Sequence, residues 1–179
     1  MSAEGLADAL TSKHWTVAVA ESCTGGLLGQ MITAHPGSSA YFHGGITTYS
    51  DTAKIELLGV PEECLHKHGA VSGRTALAMA TGVRDAFRVD IGVAVTGIAG
   101  PGGGTDAKPV GLVYVAVAGD QDERVKELNL KGSREDVRKA AAEAALALAS
   151  EFIAEQEVRP GRSDTDGLDY YGGTLPEDD

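Results

Sequence analysis

Trp15-Thr16-Val17-Ala18-Val19-Ala20-Glu21-Ser22-Cys23-Thr24-Gly25-Gly26-Leu27-Leu28-Gly29-Gln30-Met31-Ile32-Thr33 sets the architecture of this 179-residue chain. The apolar run from Trp15 to Ala20 has the length of a buried strand. Leu27, Leu28, Met31 and Ile32 fall on one helical face. Between them Thr24-Gly25-Gly26 supplies a tight turn, so the segment predicts strand, turn and helix, with Ser22 at the turn.

Working outward, Leu6, Ala7 and Leu10 predict a short helix over 4–12 ahead of this unit. His35-Pro36-Gly37-Ser38-Ser39 stops the helix that follows it, and Phe42 to Tyr49 reads as a second strand. Asp51 is placed to N-cap a helix from Thr52 to Leu58, and Pro61 to start another turn through Leu65. Ser72 opens a longer helix, Gly73 to Phe87, with Ala76, Leu77, Ala80 and Val83 on one face. Ile91 to Val95 predicts a strand that runs into Thr96 to Thr105, where five of ten residues are glycine and no packed element is expected. Val110 to Ala118 and Arg124 to Leu130 read as antiparallel strands, because their connection is short. Ser133 and Asp136 form a capping pattern for an Ala-rich helix ending near Glu157. The alternation predicts an α/β fold, a three-layer α/β/α domain with a mixed sheet over residues 1–160. Residues 161–179 lack apolar periodicity and are expected to form a mobile acidic tail.

Composition narrows the function. The hydrophobic share is 42%, yet no apolar run approaches the roughly 20 residues that span a bilayer. The N-terminus lacks the basic and apolar regions of a secretory signal, so a cytoplasmic location is expected. Cys23 and Cys64 show neither CxxC nor metal-ligand spacing and are expected to be free thiols, with no metal and no cofactor implied. A net charge of −11 argues against nucleic-acid and anionic-membrane partners. The six acids of residues 164–179 carry more than half of that charge. A chain of this size is compatible with a symmetric homo-oligomer.

Ser22 has two readings. Beyond a buried strand and before a helix its hydroxyl sits where open α/β folds build sites, and the amides of the helix start suit an oxyanion or a phosphate. Equally, Ser22 or Thr24 can simply N-cap the helix. A serine nucleophile needs a base. His14 and His35 fall at element boundaries and His66 and His68 on a polar segment, which leaves His43 as the one histidine that fits a site. The alternative base is a desolvated lysine. Lys54 is the candidate, one turn into a short helix after Thr47-Thr48-Tyr49-Ser50, so that Tyr49 and Lys54 can flank one pocket; the plain alternative is an exposed lysine and a half-buried strand tyrosine. The loop Thr96 to Thr105 has the composition of a phosphate cradle but matches neither a Walker A motif nor GxGxxG, and a flexible surface loop fits it as well.

Taken together, Glu21-Ser22-Cys23-Thr24-Gly25-Gly26, Gly45-Ile46-Thr47-Thr48-Tyr49-Ser50 with Ala53-Lys54, His68-Gly69-Ala70-Val71-Ser72, Thr96-Gly97-Ile98-Ala99-Gly100-Pro101 and Lys108-Pro109-Val110-Gly111 resemble the CinA C-terminal-domain family over about residues 4–157. The resemblance implies hydrolysis of the carboxamide of nicotinamide mononucleotide, in pyridine-nucleotide recycling, with a Ser, Tyr and Lys set that falls on Ser22, Tyr49 and Lys54. It implies substrate contacts at Thr24, Gly25, Gly26, Thr96, Gly97, Gly100 and Thr105, with the Gly-rich loop holding the ribose phosphate and no metal required. Gly102, Gly103 and Gly104 depart from the more polar loop expected in relatives, which bears on substrate affinity. Many full-length relatives carry an N-terminal domain resembling molybdopterin-binding proteins; this chain lacks it, so activity dependent on that domain is not expected. Fold and loop alone also suit a non-catalytic nucleotide-binding module, or an amidase of the same mechanism acting on another amide.

Overall fold

A computed structural model describes residues 3–156, and the acidic tail lies outside them. Twelve elements follow one another among the described residues. They are helix α1 (Ala3–Lys13), strand β1 (Val17–Glu21), helix α2 (Leu27–Thr33), a 3-10 turn at Ser38–Ala40, strand β2 (Phe42–Thr47), helices α3 (Asp51–Leu58), α4 (Glu62–His68) and α5 (Gly73–Phe87), strands β3 (Ile91–Gly97), β4 (Leu112–Ala118) and β5 (Glu123–Asn129), and helix α6 (Arg134–Glu155).

The five strands form one mixed sheet in the order β2-β1-β3-β4-β5. β1 lies between β2 and β3 and is parallel to both, while β3, β4 and β5 are antiparallel neighbours. All five residues of β1 are buried, as a central strand covered on both faces requires. Val17 and Val19 join α1, α2 and α6 in one core, through Leu6, Leu10, Leu28, Ile32, Leu146 and Phe152. Ala18 and Ala20 face the other way, into a second core of Leu58, Leu65, Met79, Ala80 and Val83 from α3, α4 and α5. The fold is therefore the three-layer α/β/α arrangement expected, in a single domain.

Small residues let the helical layers settle closely. A Cβ on Gly92 of β3 would collide with the backbone carbonyl of Ala80, so α5 approaches the sheet at backbone distance there. Helix α6 begins with a full capping box: Ser133 Oγ accepts from the Asp136 amide, and the Asp136 carboxylate accepts from the Ser133 amide. Strand boundaries differ from expectation near the Gly-rich loop. Thr96 and Gly97 are the last two residues of β3, held by pairing with Tyr114 and Val113, and β4 begins at Leu112 rather than Val110. Among the described residues no helix is long and apolar enough to cross a membrane.

Candidate active site

Three parallel strands deliver their carboxyl ends to one rim: β1 ends at Glu21, β2 at Thr47 and β3 at Gly97. The chain leaves β1 to build β2 on one side and later β3 on the other, which makes the end of β1 a topological switch point, where open α/β sheets carry their sites. Ser22 is the first residue beyond β1. Its amide donates to the Val95 carbonyl at 3.0 Å, so the turn stays fastened to β3 while the half-buried side chain faces the rim.

Lys54 reaches the same place from α3. That helix is capped by Ser50, whose Oγ accepts from the Ala53 amide at 3.1 Å; the cap sits one residue before the Asp51 expected from sequence, because Ser50 holds the extended conformation of a cap and Asp51 is already helical. Lys54 therefore lies on the inward face and is only 1% exposed. Its Nζ donates to the Thr48 carbonyl at 2.8 Å and to Ser22 Oγ at 3.3 Å. Burial pulls this ammonium below the usual lysine range, while the Asp51 carboxylate and Cys23 act in the opposite direction. A lysine that yields its proton more readily than usual can, as the free amine, accept the hydroxyl proton of a serine within hydrogen-bond reach.

Cys23, next to Ser22, is placed poorly for nucleophilic chemistry. Its side chain is part of the core under α2 and α6, and burial pushes the thiol up to about 11. The thiolate, which is the reactive form, is thus disfavoured.

Glu21 decides what the turn can bind. This carboxylate is 2% exposed and accepts three backbone amides: Oε2 from Gly26 at 3.0 Å and Leu28 at 3.1 Å, and Oε1 from Gly29 at 2.9 Å. The amides at the start of α2, expected to serve an oxyanion or a phosphate, are taken by a side chain of the same chain. Gly26 occupies the N-cap position at φ 98°, which suits glycine, and contributes no side-chain cap. Gly25 and Gly26 are exposed at the turn, whereas Thr24 is fully buried. The Thr24 carbonyl accepts from Arg138 Nη2 at 2.7 Å, and its hydroxyl, like that of buried Thr48, is without a partner.

The remaining predicted residues spread around this centre. Tyr49 lies beyond the end of β2 and is 62% exposed, not a half-buried strand residue; its hydroxyl accepts from Arg134 Nη2 at 2.8 Å. Arg134 Nη1 donates to the Gly100 carbonyl at 2.6 Å, so one guanidinium ties Tyr49 to the Gly-rich loop. Thr96 is buried in β3 and its hydroxyl donates to the Ala70 carbonyl at 2.8 Å. Gly97 is half-buried against Val113 of β4, where a Cβ would meet the Val113 side chain at 2.6 Å. Neither is a loop residue as expected, since strand pairing claims both. Gly100 is buried, and Thr105 is exposed in a turn whose hydroxyl accepts from the Lys108 amide at 3.0 Å. Lys108 Nζ in turn donates to the carbonyls of His68 and Val71 at 2.6 and 2.8 Å, which fastens the Gly-rich loop to the segment before α5. His43 stands exposed near the start of β2, at the end of the sheet away from Ser22.

Sequence reasoning gave no role to Glu21, Thr48, Lys108, Arg134 or Arg138. A signal for the arginines was present. They lie four residues apart on α6, hence on one face, and Arg134 is the first residue of the helix, where the macrodipole opposes a cation. A separate cleft of about 140 Å³, bordered by Trp15, Arg84, Asp90 and Phe152, opens at the opposite end of the sheet and brings no serine and lysine together.

Residues 1–153 match the model of the CinA C-terminal domain. The chain belongs to that family. It is 57% identical over 126 residues to a Halothermothrix orenii protein with a provisional competence-damage inducible name, a match that covers 70% of this chain and 30% of the relative. Among solved structures, the competence/damage inducible protein CihA from Agrobacterium tumefaciens shares 39% identity at a TM-score of 0.80, covering 86% of this chain and 95% of that one. A CinA superfamily protein from Klebsiella pneumoniae shares 34% identity at a TM-score of 0.83, covering 86% and 96%. The chain thus spans about a third of the length of the curated relatives it matches, and nearly all of the solved ones.

Proposed function

We propose that this CinA-family domain is an amidohydrolase that converts nicotinamide mononucleotide to nicotinic acid mononucleotide and ammonia. The observation that supports this reading most is the contact between Lys54 Nζ and Ser22 Oγ at a strand end, with the lysine buried and its proton loosened by desolvation.

In this proposal the free amine of Lys54 takes the Ser22 hydroxyl proton as Oγ attacks the carboxamide carbon. The tetrahedral intermediate collapses when the same proton passes to the departing nitrogen, which breaks the C–N bond and releases ammonia. Water then adds to the Ser22 ester, giving a proton to Lys54; as the C–O bond breaks Lys54 returns that proton to Oγ, which restores the Ser22 hydroxyl and the free amine, and the acid product loses its proton to solvent to leave as the carboxylate. The Thr48 carbonyl holds Lys54 Nζ throughout, so proton transfer needs no movement of the lysine chain. Tyr49 contributes at the rim. Its oxygen accepts from Arg134, which leaves its own O–H free to donate to the substrate amide or to the leaving nitrogen. Arg134 puts guanidinium charge beside the Gly-rich loop and Arg138 beside the Thr24–Gly25 turn, in an otherwise acidic protein, and these two arginines are the part of the site we assign to the ribose phosphate.

Ammonia release from nicotinamide mononucleotide, nicotinamide riboside and free nicotinamide tests the reading. Turnover of the mononucleotide, much reduced for the riboside, is the expected result. Equal turnover of all three contradicts the phosphate assignment, and no ammonia from any of them contradicts the substrate assignment.

A further inference from the structure

A helix that starts three residues after a Ser-Cys-Thr sequence would ordinarily draw its cap from one of those hydroxyls, since Ser and Thr side chains readily accept from exposed helix amides. Here neither does. Gly26 stands at the N-cap position and offers no side chain, Ser22 Oγ accepts from Lys54, and the Thr24 hydroxyl is unpartnered. The amides of Gly26, Leu28 and Gly29 are served instead by the buried carboxylate of Glu21, which reaches them from the last position of β1. A buried anion is costly unless hydrogen-bonded, and three amide donors are what offset that cost.

We infer that Glu21 is a positioning residue: it replaces Ser22 and Thr24 as the cap of α2 and so leaves the Ser22 hydroxyl free for Lys54. This inference rests on the amidohydrolase reading above. The neighbouring contacts agree with it. The Glu21 carbonyl accepts from the Thr48 amide at 2.8 Å, and the Thr48 carbonyl accepts from Lys54 Nζ, so Glu21 braces the serine through its side chain and the lysine through its main chain. Because the backbone of Glu21 survives any substitution there, replacing its side chain disturbs the serine side of the pair alone.

Glu21→Gln tests the idea. The amide keeps one acceptor oxygen but turns an NH2 toward a backbone N–H, so part of the cap is lost and the amides compete for the nearest hydroxyl. The expected result is a kcat at least about tenfold lower on folded protein, with KM within about twofold of the wild type, the pattern of an interaction needed only in the transition state. Labelling of Ser22 by a fluorophosphonate probe is expected to slow in parallel, and this readout needs no substrate. Glu21→Asp, which keeps the charge and shortens the reach, is expected to fall between the two and to retain the pH profile of the wild type. A lower melting temperature with unchanged kcat and unchanged labelling would overturn the inference, and so would failure of both variants to fold, since the carboxylate would then serve only the fold. If wild-type protein neither releases ammonia nor labels at Ser22, it is the amidohydrolase reading that fails; if the wild type does both and Glu21→Gln matches it, the reading stands and the positioning role falls.

Discussion

Lys54 Nζ lies 3.3 Å from Ser22 Oγ although the two residues are 32 positions apart, one in the turn after β1 and the other on α3. Each is held there by something other than its partner: Ser22 by the bond from its amide to Val95, Lys54 by the bond from its ammonium to the Thr48 carbonyl. A pair pre-positioned in this way needs little rearrangement before reaction, which is the contribution a scaffold makes to a general-base step.

The pH dependence of that step has a definite sign. Because burial lowers the Lys54 pKa from the ordinary lysine value of 10.5, the amine becomes populated at lower pH than in a free lysine. kcat/KM should therefore rise with pH through an ionisation below 10.5 and be flat above it, until other groups titrate. Lys54→Arg keeps a cation that does not deprotonate and should lose about 10²–10⁴ in kcat, the usual worth of general-base catalysis. A pH profile of the wild type and one rate for the variant check this; an activity that falls as pH rises through the neutral range would be the wrong sign for a lysine base.

Tyr49 and Arg134 share one hydrogen bond, and Arg134 passes it on to the loop at Gly100. Removing either partner breaks the same link, so Tyr49→Phe and Arg134→Ala should be non-additive. The double variant is expected to be hardly worse than the poorer single, with a coupling free energy of about 0.5–3 kcal/mol in a cycle built on kcat/KM. Strict additivity would separate the two residues functionally.

Cys23 should be inert despite its position. With the thiol pushed up to about 11, the folded state binds a proton that an unfolded cysteine, at the ordinary value of 9.0, gives up earlier. The protonated thiol therefore contributes stability that is complete below pH 9 and is lost as pH rises toward 11. Iodoacetamide at pH 8 should alkylate half-buried Cys64 well before Cys23, read by peptide mass, and should leave activity intact while Cys23 is unmodified. Faster modification of Cys23 would show that the turn is more open than its burial implies.

Local rules in the sequence account for much of the fold and only part of the site. The strand, turn and helix of residues 15–33 are visible because a fully buried central strand reads as an unbroken apolar run, and the capping box at Ser133 and Asp136 is a short-range signal. Thr96 and Gly97 look like loop in the sequence because the pairing that makes them strand comes from residues 113 and 114, on the far side of the Gly-rich loop. Lys54 could be named as a candidate, yet its burial depends on which face α3 turns to the sheet, a tertiary property that a helix of eight residues does not advertise. The capping role of Glu21 leaves no side-chain pattern in the sequence, since its partners are backbone amides five to eight residues ahead. Arg134 and Arg138 could have been suspected from cations placed against the helix dipole.

The most direct test of the central claim is ammonia release from nicotinamide mononucleotide by the wild type and by Ser22→Ala, with the fold of each checked by thermal melting. Losing one hydroxyl at a half-buried position should leave the melting temperature nearly unchanged, because Lys54 keeps its bond to Thr48. The account predicts ammonia from the wild type and none above background from the variant. Ammonia released by folded Ser22→Ala at the wild-type rate would contradict it.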